Sequence, residues 1–423
     1  MRRSAVRIRS GPPKFSDKEN FGGTKASVKW HDKCRSERSA TISVFMKNLF
    51  RLAVGLAFLF TLIVSCFYLP AIINTKFTLT LPLQAQDKLK EALFYQKLEN
   101  KVAQCHLCPR ICIIPSGKRG FCGVRENRDG ILYTLVYAKP VAIHIDPIEK
   151  KPLFHFLPAT TAFSIATAGC NLRCKFCQNW EISQRKPEEV EYTYLEPADL
   201  LKKVKASGSP TIAYTYTEPT IFYEYMLETA KLAKAQGIKN IMHSCGYINE
   251  EPLRQLAKYL DAANIDLKGF TNDYYAQMTG ATLEPVLRSL KILKDEGVHL
   301  ELTNLVLSGY NDDPDLITKM CLWIKENLGT DTPLHFSRAF PMYKLTSINP
   351  TPIQTLERAR QIALDCGLKY VYIGNVGGNP AENTYCPKCK KIVIRRVGYM
   401  ILENNLENGK CKYCGEKIEG VWQ

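Results

Sequence analysis

The chain has 423 residues, 45% hydrophobic and 23% charged, which excludes a wholly disordered or fibrous chain and allows one large domain with smaller ones. The formal charge of +16 suggests nucleic acid, but residues 1–51 hold 13 Lys/Arg against 4 Asp/Glu, a net +9 that leaves +7 for the rest. No basic motif interleaved with aromatics accompanies that charge, so nucleic acid is not an expected partner.

Residues 1–45 are basic, polar and aperiodic, which predicts a disordered segment. They also read as a stretch upstream of the natural start, since Met46 opens a conventional signal-like sequence within 46–75. Residues 52–73 are 22 uncharged positions in a row, enough to cross a bilayer. A retained membrane anchor is the first expectation; a cleaved signal and a lipoprotein signal ending at Cys66 are the others. Lys47 and Arg51 precede the span, and only Lys76 lies close after it, so the positive-inside rule sends the larger, C-terminal part of the chain out of the cytosol. The cysteine chemistry of that part needs a reducing, oxygen-poor compartment. A cytoplasmic location is therefore expected, with anchoring through 52–73 and its topology left open.

The region 76–150 reads as a linker followed by a cysteine module. Within it, 87–102 places Leu89, Leu93, Phe94 and Leu98 on one helical face, which predicts a helix. Cys105, Cys108, Cys112 and Cys122 come next, spaced C-x2-C-x3-C-x9-C. These soft ligands permit zinc, the first reading, or a second iron–sulfur cluster. Residues 131–147 are strand-like.

Residues 151–380 alternate strand and helix patterns. Strands are expected at 161–168, 211–217, 239–244, 262–267, 299–306, 334–338 and 370–375. Helices are expected at 196–206, 219–236, 251–260, 284–296, 314–328 and 351–366. Such alternation implies right-handed crossovers and a parallel sheet, hence an α/β fold with a full or partial (β/α) barrel. In such barrels chemistry sits at the C-terminal strand ends. Polar residues collect there: Glu218, His243, Ser244, Asp266, Lys268, Asn304, Arg338 and Asn375.

After the first of these strands, one loop carries Cys170, Cys174 and Cys177, spaced C-x3-C-x2-C. Four thiolates would close a cubane iron–sulfur cluster, so three leave one iron open. An open coordination position separates a catalytic metal centre from a structural one. The tail, 381–423, carries Cys386, Cys389, Cys411 and Cys414 as two C-x2-C knuckles around a strand-like stretch. That pattern reads as a zinc ribbon, with a rubredoxin-like iron or an auxiliary cluster as the alternative.

With Phe176 before its last cysteine, the loop resembles the signature of the radical SAM superfamily. That resemblance implies a partial (β/α)6-type TIM-like barrel, a [4Fe–4S] cluster and S-adenosylmethionine (SAM) as cofactors, and a 5′-deoxyadenosyl radical that abstracts hydrogen from substrate. It also implies a low-potential electron donor of flavodoxin or ferredoxin type. Asp266-Leu267-Lys268 is similar to the D-x-K of glycyl-radical-enzyme activases, where these residues approach the methionine part of SAM. Where the superfamily usually has Gly-Gly-Glu, this chain has Tyr216-Thr217-Glu218. Glu218 can still receive the ammonium group, but the two glycines are missing. Asn375, in a glycine-rich stretch, is placed near the adenine or ribose. Over about residues 85–422 the pattern most resembles the radical SAM enzyme of the AmmeMemoRadiSam system, through AGCNLRCKFCQNWEIS, YTYTEPTIFYEY, NIDLKGF and TYCPKCKKIVIRRVGY among other stretches. Its substrate is not stated by the motifs; a partner protein is one class. Two rivals stand beside this reading: a glycyl-radical activase of the pyruvate formate-lyase type, and a zinc-bearing scaffold without catalysis.

Overall fold

The computed structural model describes residues 89–423, which belong to a compact unit beginning at Asp87. The basic segment 1–45 and the expected anchor at 52–73 lie outside the described residues. Among the described residues, no helix is long and apolar enough to cross a membrane.

The N-terminal part is two small antiparallel sheets. One pairs β1 (Lys90–Glu91) and β5 (Arg125–Arg128) with β6 (Ile131–Thr134); the other pairs β2 (Tyr95–Lys97) and β4 (Ile113–Ile114) with β3 (Ala103–Cys105). The helix expected over 87–102 is therefore corrected to two short strands and a 3-10 turn at Glu99–Lys101. Phe94 (φ 55°) and Asn100 (φ 55°) are left-handed, which no α-helix tolerates. Leu89, Leu93 and Leu98 are exposed rather than sharing a buried face. Their periodicity lost to ladder bonds offered by β3 and β6, a tertiary override of local propensity.

The main body is one eight-stranded sheet. Its parallel strands are β8 (Thr161–Ala166), β9 (Thr211–Tyr214), β10 (Lys239–Ser244), β11 (Ala262–Asp266), β12 (His299–Val306), β13 (Leu334–Arg338) and β14 (Val371–Gly374). They lie side by side in chain order, and β7 (Ala142–Pro147) adds antiparallel to β8 at the edge. The crossover helices are α1 (Pro197–Ala206), α2 (Tyr223–Ala235), α3 (Glu250–Ala257), α4 (Glu284–Asp295), α5 (Pro314–Leu328) and α6 (Ile353–Asp365). The ladder runs from β14 to β7 without joining its ends, as a partial barrel requires.

Local chemistry explains these boundaries. Helix α5 starts where the Asp313 carboxylate accepts from the Asp315 and Leu316 amides (3.0 Å each) and Pro314 occupies the first turn, a cap worth about 1 kcal/mol. In α4, Val286, Leu290 and Leu293 form a completely buried stripe, each contributing about 2 kcal/mol on leaving water. Strands buried on both faces read as nearly unbroken apolar runs, which is why sequence periodicity located them.

The tail forms a separate sheet of β15 (Thr384–Tyr385), β16 (Ile392–Val397) and β17 (Met400–Asn404), with a hairpin of β18 (Leu406–Glu407) and β19 (Lys410–Cys411). It is clamped to the barrel. Buried Arg396 donates to the Phe154 carbonyl (2.8 Å) and lies 4.2 Å over the Phe154 ring. The Leu157 amide donates to the Val421 carbonyl (2.7 Å), and Val421 returns a bond to His155 (2.8 Å). Segment 152–157 is held in turn by the buried Glu301 of β12, whose carboxylate accepts from the amides of Phe154 (3.0 Å) and His155 (2.7 Å).

Candidate functional site

The C-terminal strand ends open into a cleft of about 420 Å³. Cys170, Cys174, Phe176, Cys177, Glu218, Asp266, Lys268 and Asn375 all line it. Residues spread over more than two hundred positions of sequence thus meet in one space, as expected for a barrel of this kind.

The cysteine loop is rigidly held. Gly169 turns at φ +96°, and Cys170 and Cys174 are buried behind it. The Arg173 side chain folds back onto the carbonyls of Cys170 and Leu172 (2.8 Å each). The amides of Arg173 and Lys175 donate to Thr279 (2.8 Å) and Met278 (2.9 Å), which pins the loop to the π-helical turn Tyr275–Thr279. The Ser183 hydroxyl lies 3.2 Å from the Cys177 sulfur. Burial pushes both the Cys170 and Cys174 thiols up, the latter to about 12, so thiolates here require a cation beside them. No three of the cleft's thiols or carboxylates converge within 4.8 Å, the spacing of a single-ion site. The three cysteines are therefore not drawn to the spacing of a single ion.

Asp266, at the end of β11, takes an ion pair from Lys268 (2.8 Å) and a contact from His243 Nε2 (3.2 Å). Burial alone would raise its pKa, but Lys268 and then His243 hold the carboxyl well below the usual range. Burial likewise opposes the charge on Lys268, and Asp266 overrides it, so the lysine stays cationic. Its ammonium sits 5.7 Å from the centre of the buried Phe176 ring. Glu218 caps the turn Pro219–Phe222. Its Oε1 accepts from the Thr220 amide (3.1 Å), the Thr220 hydroxyl (2.7 Å) and the Ser244 hydroxyl (2.6 Å), whereas Oε2 accepts only from the Cys245 amide (2.8 Å). Oε2 thus keeps acceptor capacity. Asn375 is exposed at the rim, donating to Ser337 Oγ (2.9 Å) and the Arg338 carbonyl (3.1 Å).

Two strand-end expectations are off by one residue. Asn304 turns away to donate to the Leu267 carbonyl (2.7 Å), and Arg338 donates to the Thr351 carbonyl (2.8 Å). Thr303, Leu305, His335 and Ser337 line the cleft instead, because side chains alternate along a strand. Sequence reasoning missed Lys151, and also Glu382, Gly398 and Tyr399, by which the tail contributes to the cleft rim. Only the ribbon's long β16–β17 hairpin signalled that the tail could reach so far. Cys245 also lines the cleft, as does Tyr216, whose hydroxyl donates to Asp146.

The tail cysteines are arranged differently. The sulfurs of Cys386, Cys389, Cys411 and Cys414 all lie within 4.8 Å of one another, with Cys386–Cys414 at 3.6 Å and Cys389–Cys411 at 3.7 Å. Metal–sulfur bonds of about 2.3 Å in a tetrahedron set ligand sulfurs about 3.8 Å apart, so this group fits a single ion. Among the described residues no other group of three or more potential ligands converges so closely.

The sequence profile described as the radical SAM superfamily matches residues 164–320, which span the cysteine loop, Glu218 and the Asp266–Lys268 pair. An uncharacterized protein of Methanocaldococcus jannaschii is 49% identical over 335 residues, covering 79% of this chain and 100% of that one. The pyruvate formate-lyase 1-activating enzyme of Escherichia coli is 22% identical over 219 residues, 48% of this chain and 89% of that one. A solved domain of the pyruvate-formate lyase-activating enzyme from Bacteroides vulgatus aligns with a TM-score of 0.35 at 16% identity, over 38% of this chain and 98% of that one. The family match and the parallel sheet it falls on lead to one conclusion: the chain belongs to the radical SAM superfamily.

Proposed function

We propose that the cleft binds a [4Fe–4S] cluster through Cys170, Cys174 and Cys177, with SAM beside it, and abstracts hydrogen from a substrate. When bound and reduced, the cluster would supply the one electron that splits the SAM sulfonium into methionine and a 5′-deoxyadenosyl radical. The observation that carries this reading is convergence: a three-cysteine loop opens on the same cleft as a half-buried carboxylate–ammonium pair. Asp266 and Glu218 Oε2 present negative charge to the ammonium of SAM, and Lys268 presents its remaining donors to the carboxylate. Phe176 excludes water from that side of the cleft. Asn375 and its neighbouring glycine backbone serve the adenine or ribose at the rim.

A protein substrate is supported by two facts. Distant relatives are named as activating enzymes, of pyruvate formate-lyase and of 4-hydroxyphenylacetate decarboxylase. The tail hairpin beside the cleft also exposes Val397, Tyr399, Met400 and Leu402. Reduction would come from a low-potential flavodoxin- or ferredoxin-type protein. Glycyl-radical activation is the second reading, favoured by the placement of Asp266 and Lys268; a glycyl doublet in electron paramagnetic resonance with a candidate partner would select it. The ribbon is assigned zinc in a structural role.

The test is anaerobic reconstitution with SAM and dithionite. The expected product is 5′-deoxyadenosine, lost in Cys174→Ala; a cluster-loaded chain that yields none rejects the proposal.

A further inference from the structure

We propose that Cys105, Cys108, Cys112 and Cys122 hold a second iron–sulfur cluster rather than zinc. All four line one cavity, together with Arg110, Arg125 and Asn171. The same molecule supplies an internal standard. The tail cysteines draw together to the spacing of a single tetrahedral ion, while no three of these four sulfurs lie within 4.8 Å of one another. Four thiols that surround a space without collapsing on its centre suit a group of several irons, where ligands attach to different metals.

The polar atoms around that space point the same way. Arg125 is buried to 1% exposure, and its Nη1 donates to the Cys105 sulfur (3.4 Å) and the Leu93 carbonyl (2.9 Å). Its other terminal nitrogen pairs with buried Glu224, which leaves Nε as a buried donor with no partner. Leaving such a donor unpaired is costly, and a cluster in the cavity that Arg125 lines would bring sulfur acceptors beside its guanidinium. N–H donors to cluster sulfur are a recognised means of setting cluster potential. The Phe121 amide similarly faces the Cys112 sulfur at 3.5 Å.

The site is built against the catalytic loop. Gly169 has no room for a Cβ: one would meet Val124 Cγ1 at 2.5 Å and the Cys122 carbonyl at 2.9 Å. Arg110 Nε donates to the Asn171 carbonyl (3.0 Å), and Arg173 reaches the Phe121 carbonyl. Consecutive residues therefore face the two sites, Cys170 the cleft and Asn171 the four-cysteine cavity.

This inference does not rest on SAM chemistry, and its test isolates it. The full chain carrying Cys170→Ser, Cys174→Ser and Cys177→Ser is purified anaerobically, reconstituted with iron and sulfide, and assayed for metals. Expected are equal iron and sulfide, about two or about four of each per chain according to nuclearity, and about one zinc for the ribbon. About two zinc and no iron would overturn it. Should that variant fail to fold, the unsubstituted chain decides: about six to eight irons are expected, and about four with two zinc would overturn it. Equal iron in both chains would instead show that the catalytic loop carries no cluster, a failure of the proposed SAM chemistry and not of this site.

Discussion

Asp266, the last residue of β11, and Lys268, on the turn that follows, form an ion pair of 2.8 Å at the mouth of the barrel. Each is held in its charged form by the other against the penalty of burial. Lys268→Met leaves a partly exposed carboxylate with only His243 beside it and is expected to lower stability by about 1 kcal/mol, measured by denaturant unfolding. SAM affinity is expected to fall about ten- to a hundredfold by isothermal titration, the worth of one charge-assisted hydrogen bond. The double variant Asp266→Asn/Lys268→Met should recover much of the stability and none of the affinity. Unchanged affinity would remove the pair from the SAM site.

Cys245 tests whether the catalytic cluster keeps an open iron. It lines the cleft from just beyond β10, with its amide on Glu218. If the three-cysteine loop suffices, Cys245→Ala retains full iron content and continues to form 5′-deoxyadenosine. A loss of iron equal to that of Cys174→Ala would make Cys245 a fourth ligand and close the site to SAM.

Removing the ribbon's ion should reach further than the tail. Arg396 and Val421 tie this module to segment 154–157, and Tyr399 lines the cleft. Cys389→Ser/Cys414→Ser is expected to lose about one zinc per chain, to show an earlier thermal transition, and to keep its iron. Unaltered melting would mean that the docking bonds hold the tail without metal.

His155 predicts a pH dependence. It is wholly buried, with Nδ1 2.6 Å from the Glu419 carbonyl and Nε2 2.6 Å from the Tyr372 hydroxyl. Burial lowers its pKa from 6.5 to about 4, despite the nearby charge of Glu301. Between these values the unfolded chain binds a proton that the folded chain refuses. The contribution is therefore complete above pH 6.5 and is lost as pH falls toward 4, up to about 3 kcal/mol. Urea midpoints should decline over that window, and His155→Gln should flatten the slope. An equal slope in the variant would assign the decline to other groups.

Much of the fold and the site was legible in the sequence, for physical reasons. The seven parallel strands are apolar runs between amphipathic helices, and each appeared within three residues of its expected bounds. The three-cysteine loop and the D-x-K pair are local patterns, and both line the cleft. Sequence failed where partners are distant. Residues 87–102 have a helical period, yet β3 and β6 recruit them as strands. Asn304 and Arg338 were polar and near strand ends, but alternation turned them outward, and only the register decides that. Spacing alone left the metal of the first cysteine group open; the separation of its sulfurs is what supports the proposal of a cluster there.

The central claim is that three cysteines leave an iron for SAM. It is tested most directly by electron–nuclear double resonance on the dithionite-reduced chain, with SAM labelled with nitrogen-15 at its amino group and oxygen-17 at its carboxylate. The account predicts hyperfine coupling of both labels to the cluster, abolished in Cys177→Ala. SAM bound in stoichiometric amount to a cluster-loaded chain with neither coupling would contradict it.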